Sequence, residues 1–543
     1  MGAGAAAAPS FRGRLQGMLE RPRQSPIQQQ FVVRNPPSNT LSSGKGQSMF
    51  RLRAWALLAC AVACVSSARS AERVSRPNIV WIIVDDMSAN FSCYGEQLIE
   101  TPHVDRLARE GLRFTRAFVT APVCSPCRSA LITGCYQTTI GAHHHRSGRG
   151  ELKIHLPDGI VPLPVLFQRA GYYTCIGGFQ ATGKQLGKTD YNFEWDPAMY
   201  DGNDWSGRQP GQPFFMQVQL HGGKHRGQQP NQNWQARVRQ EFGSNTDPQR
   251  VVLPPYYPRD PVLLQDWADY LDCCRYTDRE VGMWLARLER EQLLDSTIVF
   301  FMTDHGISHA RGKQFLYDEG IHVPFLVRGP GIPAGAVRDD LIEHIDLAAT
   351  SLALAGIPIP SWMQGRNVLA ADYAPRSAVF AARDRCDETI DRIRSVRTED
   401  FKYIRNYLPS RPHLQPCVYK DGKAIIQRLR ELHAAGQLDE LSTRLLFAER
   451  RPPEELYDLR ADPHEVNNLA DNPQYRPVLE QLRHRLAEWE EQTGDLGRSP
   501  EPMAMYDSDM AEYLRANRGR KAARTDELER NIEWNKLQAR HER

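Results

Sequence analysis

Residues Pro77 to Met87 read PNIVWIIVDDM, a continuous apolar and β-branched run that stops at two carboxylates. Such a run predicts a parallel strand buried on both faces, with its polar residues at the carboxyl end. The next stretch, TPHVDRLAREGLRF, predicts a helix with Thr101 as N-cap, Pro102 at its first position and Gly111 at its end. Further on, PVLLQDWADYLDCCRYTDREVGMWLARLEREQLLDS has helical character with a break expected near Gly282, and TIVFFMTDHG repeats the plan of the first strand. Between them, Phe214 to Leu220 forms another strand-like run that enters a loop rich in Gly, Gln and basic residues, a candidate wall for a ligand site. Strand and helix alternate, so the expected fold class is α/β, a large mostly parallel sheet sandwiched by helices. In such sheets ligands gather outside the carboxyl ends of the strands, where both acidic clusters fall.

After Ala355 the pattern shortens. Gly356, Pro358 and Pro360 mark a turn, SAVFAAR, IRSVRT and FKYIRNYL read as short strands, and QYRPVLEQLRHRLAEWEEQT reads as a helix. A main domain over residues 75–370 is therefore expected to precede a smaller α+β subdomain over 375–497. Residues 498–543 are polar and charged, as in a solvated helix or a disordered tail. At the other end, residues 49–71 carry Arg51 and Arg53, an apolar run from Ala54 to Val65 and then small residues, the plan of a signal peptide. That 12-residue run is short for a membrane span, so no transmembrane segment is expected. The sequence LLAC ending at Cys60 also fits a lipoprotein box, which leaves lipid anchoring open. Residues 1–48, rich in Ala, Gln, Pro and Ser, read as disordered upstream sequence or a mis-chosen start. The expected destination is outside the cytoplasm: periplasmic, secreted or lysosome-like.

Charge narrows the partners. Lys and Arg total 68 against 65 for Asp and Glu, too even a balance to imply nucleic acid. Eleven cysteines, less Cys60 and Cys64 of the leader, leave nine, an odd number unlike the dense even framework of a small secreted domain. Cys175, Cys273 and Cys274 suit buried apolar thiols.

The chemistry concentrates at the strand ends. Asp85 and Asp86 follow the first strand, and Asp304 and His305 follow the later one. Three carboxylates with one imidazole suit a hard divalent ion, Ca2+ or Mg2+, better than Zn2+. Because neighbours on a strand point to opposite faces, Asp85 and Asp86 converge only if one lies beyond the strand proper. Cys124 opens CSPCRSALITG, which has the spacing of a CxxC but lacks the second cysteine pair of a zinc site.

This string is similar to the C-x-P-x-R…TG signature of the type I, formylglycine-dependent sulfatases, a branch of the alkaline phosphatase superfamily. NIVWIIVDDM, TPHVDRLAREGLRFTRAFVTAPVCSPCRSALITG, STIVFFMTDHG, GKQFLYDEGIHVPFLVRGPG and ELYDLRADPHEVNNLA resemble family blocks in the family's order, over residues 77 to 475. The resemblance implies an alkaline-phosphatase-like sheet and conversion of Cys124 to formylglycine by a formylglycine-generating or sulfatase-maturating enzyme. It implies a metal held by Asp85, Asp86, Cys124, Asp304 and His305, with Arg128, Lys188 and Lys313 catalytic. An aldehyde hydrate suits sulfate transfer because it escapes the stable sulfated adduct that a serine or cysteine nucleophile would leave. Two departures stand out. The histidine two places after Lys188 is Asp190, and the histidine expected about nine residues after the aromatic pair Phe214–Phe215 falls at Lys224. A one-residue insertion selects His225 for that role, with His221 as the substrate-binding alternative. The triplet His143 to His145 is expected at the pocket rim, and Arg383 is a candidate for binding sugar hydroxyls or carboxylates.

The implied activity is hydrolysis of sulfate esters or sulfamates, on a sulfated carbohydrate, with some likeness to the N-sulfoglucosamine sulfohydrolase branch in PFF…H…HR and LPPYYPRDP…DWADY. The alternatives are a phosphonate monoester or phosphodiester hydrolase of the same superfamily, and a non-catalytic protein that binds sulfated glycans.

Overall fold

A computed structural model describes residues 76–227, 232–518 and 522–541. The upstream segment 1–48, the signal peptide at 49–71 and the lipid box at Cys60 lie outside the described residues. The central sheet has seven strands: β1 (Asn78–Val84), β2 (Leu112–Phe118), β3 (Tyr173–Gly178), β4 (Phe214–Leu220), β5 (Thr297–Thr303), β6 (His322–Arg328) and β7 (Ala336–Glu343). Their spatial order is β3-β4-β1-β5-β6-β2-β7. All neighbours are parallel except β6, which runs antiparallel to β5 and β2. Alternate residues of β1 feed two separate cores: Ile79, Trp81 and Ile83 on one face, Val80, Ile82 and Val84 on the other. Burial on both faces explains the unbroken apolar run, and each such side chain contributes about 1.5–3 kcal/mol.

One core is covered by α2 (Cys124–Thr133) and α4 (Asp346–Leu354), the other by α1 (Pro102–Glu110) and the long α3 (Pro261–Arg290). Two local expectations differ from the structure. Thr101 occupies the N-cap position of α1, but its hydroxyl makes no capping bond and serves Ser92 N–H at 2.9 Å. The free N–H groups of His103 and Val104 are instead taken by Asp278 Oδ1 of α3, at 2.9 and 2.7 Å. Nor does Gly282 break α3, which is continuous. A Cβ there would lie 2.6 Å from the His103 ring, so the glycine permits close approach of α1 and not a bend.

A second, antiparallel sheet, β11-β10-β9-β8, is built from β8 (Val379–Arg383), β9 (Ile393–Arg397), β10 (Phe401–Asn406) and β11 (Glu454–Asp458), with α5 (Arg476–Gln492) against it. The polar stretch after Arg498 is helical and packed: α6 (Met503–Asn517) and α7 (Ala522–His541) bury Tyr506, Met510, Leu528 and Ile532 with Val418. The expectation of a solvated or disordered tail is corrected on this point. Its few apolar residues are spaced to meet one another across the hairpin, a pairing that net charge conceals. Among the described residues every cysteine is a free thiol, and Cys175, Cys273 and Cys274 are fully buried. No described helix is long and apolar enough to cross a membrane.

Candidate active site

Strand register builds the site. Val84 pairs with both Leu220 of β4 and Thr303 of β5, so three adjacent strands end level. The residues after each end therefore meet: Asp85 and Asp86, the turn at 221–224, and Asp304 with His305. Asp86 has a left-handed φ of 55°, which turns the chain beyond the strand and brings both carboxylates to one side. The turn after β4 passes tightly over this bend. A Cβ on Gly222 would sit 2.1 Å from the Asp85 carbonyl oxygen, and one on Gly223 would sit 2.2 Å from that of Asp86. Gly222 also has a φ of +57°. Only glycine fits both demands, and the resulting turn delivers Lys224 to the site.

Cys124 is the first residue of α2, a helix buried along its whole length, so its thiol lies at the positive end of the helix dipole. Its Sγ lies 3.2 Å from His305 Nε2, 3.3 Å from Lys313 Nζ and 3.6 Å from Lys224 Nζ. Burial by itself raises this thiol's pKa, but Lys188, Lys224, Lys313 and His305 outweigh burial and hold it well below the ordinary value. Lys188 Nζ donates to Asp85 Oδ2 at 2.8 Å, and Lys224 and Arg128 pair with the same carboxylate. Arg128 Nε reaches Asp304 Oδ2 at 3.1 Å, and Lys313 Nζ reaches Asp86 Oδ1 at 3.0 Å. Despite burial, these cations hold Asp85 and Asp86 well below the carboxylate range. Asp304 goes the other way, to about 7, because burial and the charges of Asp85 and Cys124 exceed the help from His305 and Arg128. His305 resists burial and rises to about 9 beside Asp304, Cys124 and Asp86.

Cys124, Lys188, Lys224 and Lys313 form the floor of a cavity of about 770 Å3, and Asp85, Asp86, Arg128, Asp304 and His305 are buried in contact with them. The structure thus brings together Asp85, Asp86, Cys124, Arg128, Lys188, Asp304, His305 and Lys313. His225 and His221 do not line this cavity. The His225 ring lies parallel to Trp234, 5.4 Å away, with Nε2 3.4 Å from Glu280, on the far side of its turn. His221 packs edge-on behind Phe179 at 4.1 Å, and burial with the neighbouring His225 lowers its pKa to about 4. Phe179 lines the cavity and His221 does not. Arg383 is buried, paired with Asp391 at 2.9 Å and laid over Phe315, and does not line the cavity either. Of the histidine triplet only His145 reaches the cavity wall, its Nδ1 2.7 Å from Ser125 Oγ. Asp190, in place of the expected histidine, also lines the wall and pairs with Arg149 and, at 3.6 Å, with Lys188. The basic loop after β4, expected as a wall, contributes Lys224; residues 228–231 lie outside the described residues.

Sequence reasoning missed Tyr419, whose hydroxyl donates to Asp86 Oδ2 at 2.9 Å and receives Lys313 Nζ at 3.2 Å. It comes from a short helix (Val418–Asp421) that packs against α7, where no motif marks it. Lys224 carried a legible signal, its count from the aromatic pair.

A buried thiol at a helix N-terminus, set among four cationic side chains and three strand-end carboxylates, makes a site suited to a tetrahedral anionic ester. The chain matches the sequence model of the Sulfatase family over residues 77–357 and that of the N-sulphoglucosamine sulphohydrolase C-terminal region over 305–413. It belongs to the sulfatase family and is a sulfuric ester hydrolase. An ulvan-active sulfatase of Formosa agariphila is 31% identical over 501 residues, covering 81% of each chain. Human N-sulphoglucosamine sulphohydrolase is 29% identical over 474 residues, 78% of this chain and 91% of that protein. The solved structure of BT4656 with D-glucosamine-2-N,6-O-disulfate shares the fold, with a TM-score of 0.52 and 21% identity over 77% of this chain and 98% of that one.

Proposed function

We propose that this protein removes sulfate from a sulfated carbohydrate, as an O-sulfate ester or an N-sulfamate, after Cys124 has been converted to formylglycine by a maturation enzyme. The observation that carries this is the place of Cys124: at the floor of a polar cavity, within 3.2–3.6 Å of His305, Lys313 and Lys224. The names of the Formosa and human relatives support the substrate class. The leader-like residues 49–71 support export, with maturation of Cys124 on the way.

The donor set fits a hard divalent cation. Asp86, Cys124 and His305 offer ligand atoms that all lie within 4.8 Å of one another. His305 Nδ1 lies 2.9 Å from the Gly306 carbonyl oxygen, which fixes the ring with Nε2 facing Asp86 and Asp304, at 3.1 and 3.3 Å. Asp85, Asp86, Asp304, His305 and residue 124 would hold the ion, Ca2+ or Mg2+, which supplies neutralisation of charge that builds on sulfate oxygens. As a formylglycine hydrate, residue 124 supplies one hydroxyl for attack on sulfur and a second whose deprotonation expels sulfate.

The chain's own groups do the rest. Lys188, Lys224 and Lys313 line the floor and bind sulfate oxygens with side chains that are largely withdrawn from solvent. Lys313 and Lys224, nearest the reacting side chain, hold protons where the leaving oxygen or nitrogen departs. Arg128 positions Asp85 and Asp304, and Tyr419 holds Asp86 and Lys313 in register.

Three measurements test this. Sulfate and phosphate release are compared on matched aryl esters with protein coproduced with a maturation enzyme. Sulfate is expected to dominate, and the peptide holding Cys124 to be lighter by about 18 Da, the difference between thiol and aldehyde. Preferential phosphate release, or an unaltered thiol in active protein, would overturn the proposal. Chelation is expected to abolish activity and lower the melting temperature, because three buried carboxylates lose their counter-ion; added Ca2+ or Mg2+ at about 100 times Kd restores about 2.7 kcal/mol. A melting temperature indifferent to both would remove the metal from the account.

A further inference from the structure

We propose that the C-terminal helix pair is the substrate-selecting wall of the catalytic cavity, closing it into a blind pocket that admits a sulfated terminal residue of a glycan and excludes internal ones. The inference rests on the sulfatase function proposed above and adds where on its substrate the enzyme acts.

The hairpin α6–α7 lies beyond both family-matched segments, which end at residues 357 and 413. Yet Tyr513, Ala516, Asn517 and Arg524 line the same cavity as Cys124. The polar segment around Gln180, Gln185 and Asp190 lines the same cavity. Exposure grades from floor to rim: the Cys124 and Lys313 side chains are 3% exposed and Lys188 8%, whereas Arg146 and Arg149 at the rim are 40% and 37% exposed. The sulfated group must therefore enter first and travel inward, which a chain end does and a mid-chain residue with glycan on both sides does not. A volume of about 770 Å3 lies within the range of a pocket for one small ligand, and the mix of amide, guanidinium, carboxylate and aromatic groups suits sugar hydroxyls and faces.

The wall is fixed in place. Asp509 of α6, buried, accepts the backbone N–H groups of Gly148, Arg149 and Gly150 at 3.3, 3.0 and 3.3 Å, and Arg385 Nη2 at 2.7 Å. Gly150 is required for this contact, since a Cβ there would lie 2.2 Å from the Ser508 carbonyl oxygen. Asn535 of α7 accepts Ile390 N–H at 3.0 Å and Arg411 Nη1 at 2.9 Å. These bonds tie the hairpin to the loop that carries Arg146 and Arg149, whose guanidinium groups form the rim. Arg146 in turn lies over the Tyr513 ring at 5.7 Å.

The test uses the full chain, matured at Cys124, and a tetrasaccharide sulfated on every residue and tagged at its reducing end. Fragment masses locate the first sulfate lost. Loss from one chain end is expected; first loss from internal residues overturns the inference and leaves the sulfatase function standing. In Tyr513→Ala the ratio of kcat/KM on a sulfated disaccharide to kcat/KM on an aryl sulfate is expected to fall at least tenfold, because the wall meets the sugar and not the sulfate. A ratio within twofold of wild type overturns the wall's role. Failure of the native protein to release sulfate from any of the three substrates would overturn the underlying function and this inference together.

Discussion

Cys124→Ala is expected to lower kcat/KM for every sulfated substrate by at least about 10^4-fold, the loss typical when a covalent nucleophile is removed. The variant should still fold. Cys124 starts α2 but makes few apolar contacts that depend on its sulfur, and losing one small buried group shifts a melting temperature by only about 2 °C in a chain of this size. The three lysines and Arg128 remain, so sulfate should still bind as a competitive ligand, a property that separates loss of the reacting atom from loss of the site. Activity within tenfold of wild type, in protein whose melting temperature and sulfate binding are intact, would show that residue 124 is not the nucleophile.

The second large effect is expected one turn away. Lys224→Ala should reduce kcat/KM by about 10^2–10^3-fold, as for loss of a charged group aimed at charge that develops in the transition state. His225→Ala should change it by less than about threefold, because that ring faces Trp234 and Glu280. The two substitutions sit side by side in one short turn, so damage to the turn itself would affect both alike. A reversed order, with His225 the sensitive position, would show that the turn seen here is not the one used in catalysis.

The choice between Lys224 and His225 also shows where legibility ends. Counting from Phe214 and Phe215 pointed at Lys224, and the resemblance argued for a histidine one place later. In the structure Gly222 has a left-handed φ and lies against the Asp85 carbonyl, and the turn it begins places Lys224, not His225, beside Cys124. A residue count carries no dihedral angle. The same holds for Asp85 and Asp86: the sequence showed two carboxylates at a strand end, and the positive φ of Asp86 turns both to one side. Tyr419 and the hairpin α6–α7 left no comparable trace. Tyr419 meets Asp86 from a segment far along the chain, and the hairpin's apolar residues are too few to stand out from a charged background.

Local pattern alone determined the buried strands, the carboxylates at their carboxyl ends and the cysteine that opens a buried helix, because period and turn chemistry act over a few residues and are written in order along the chain. Tertiary structure alone decided that β1, β4 and β5 end level, that Lys224 and not His225 faces Cys124, and that residues of the last helices line the cavity. The first two outcomes depend on strand register and on a single backbone dihedral, where a shift of one residue reverses which side chains meet, and the third on long-range packing of the α6–α7 hairpin against residues 148–150 and 385.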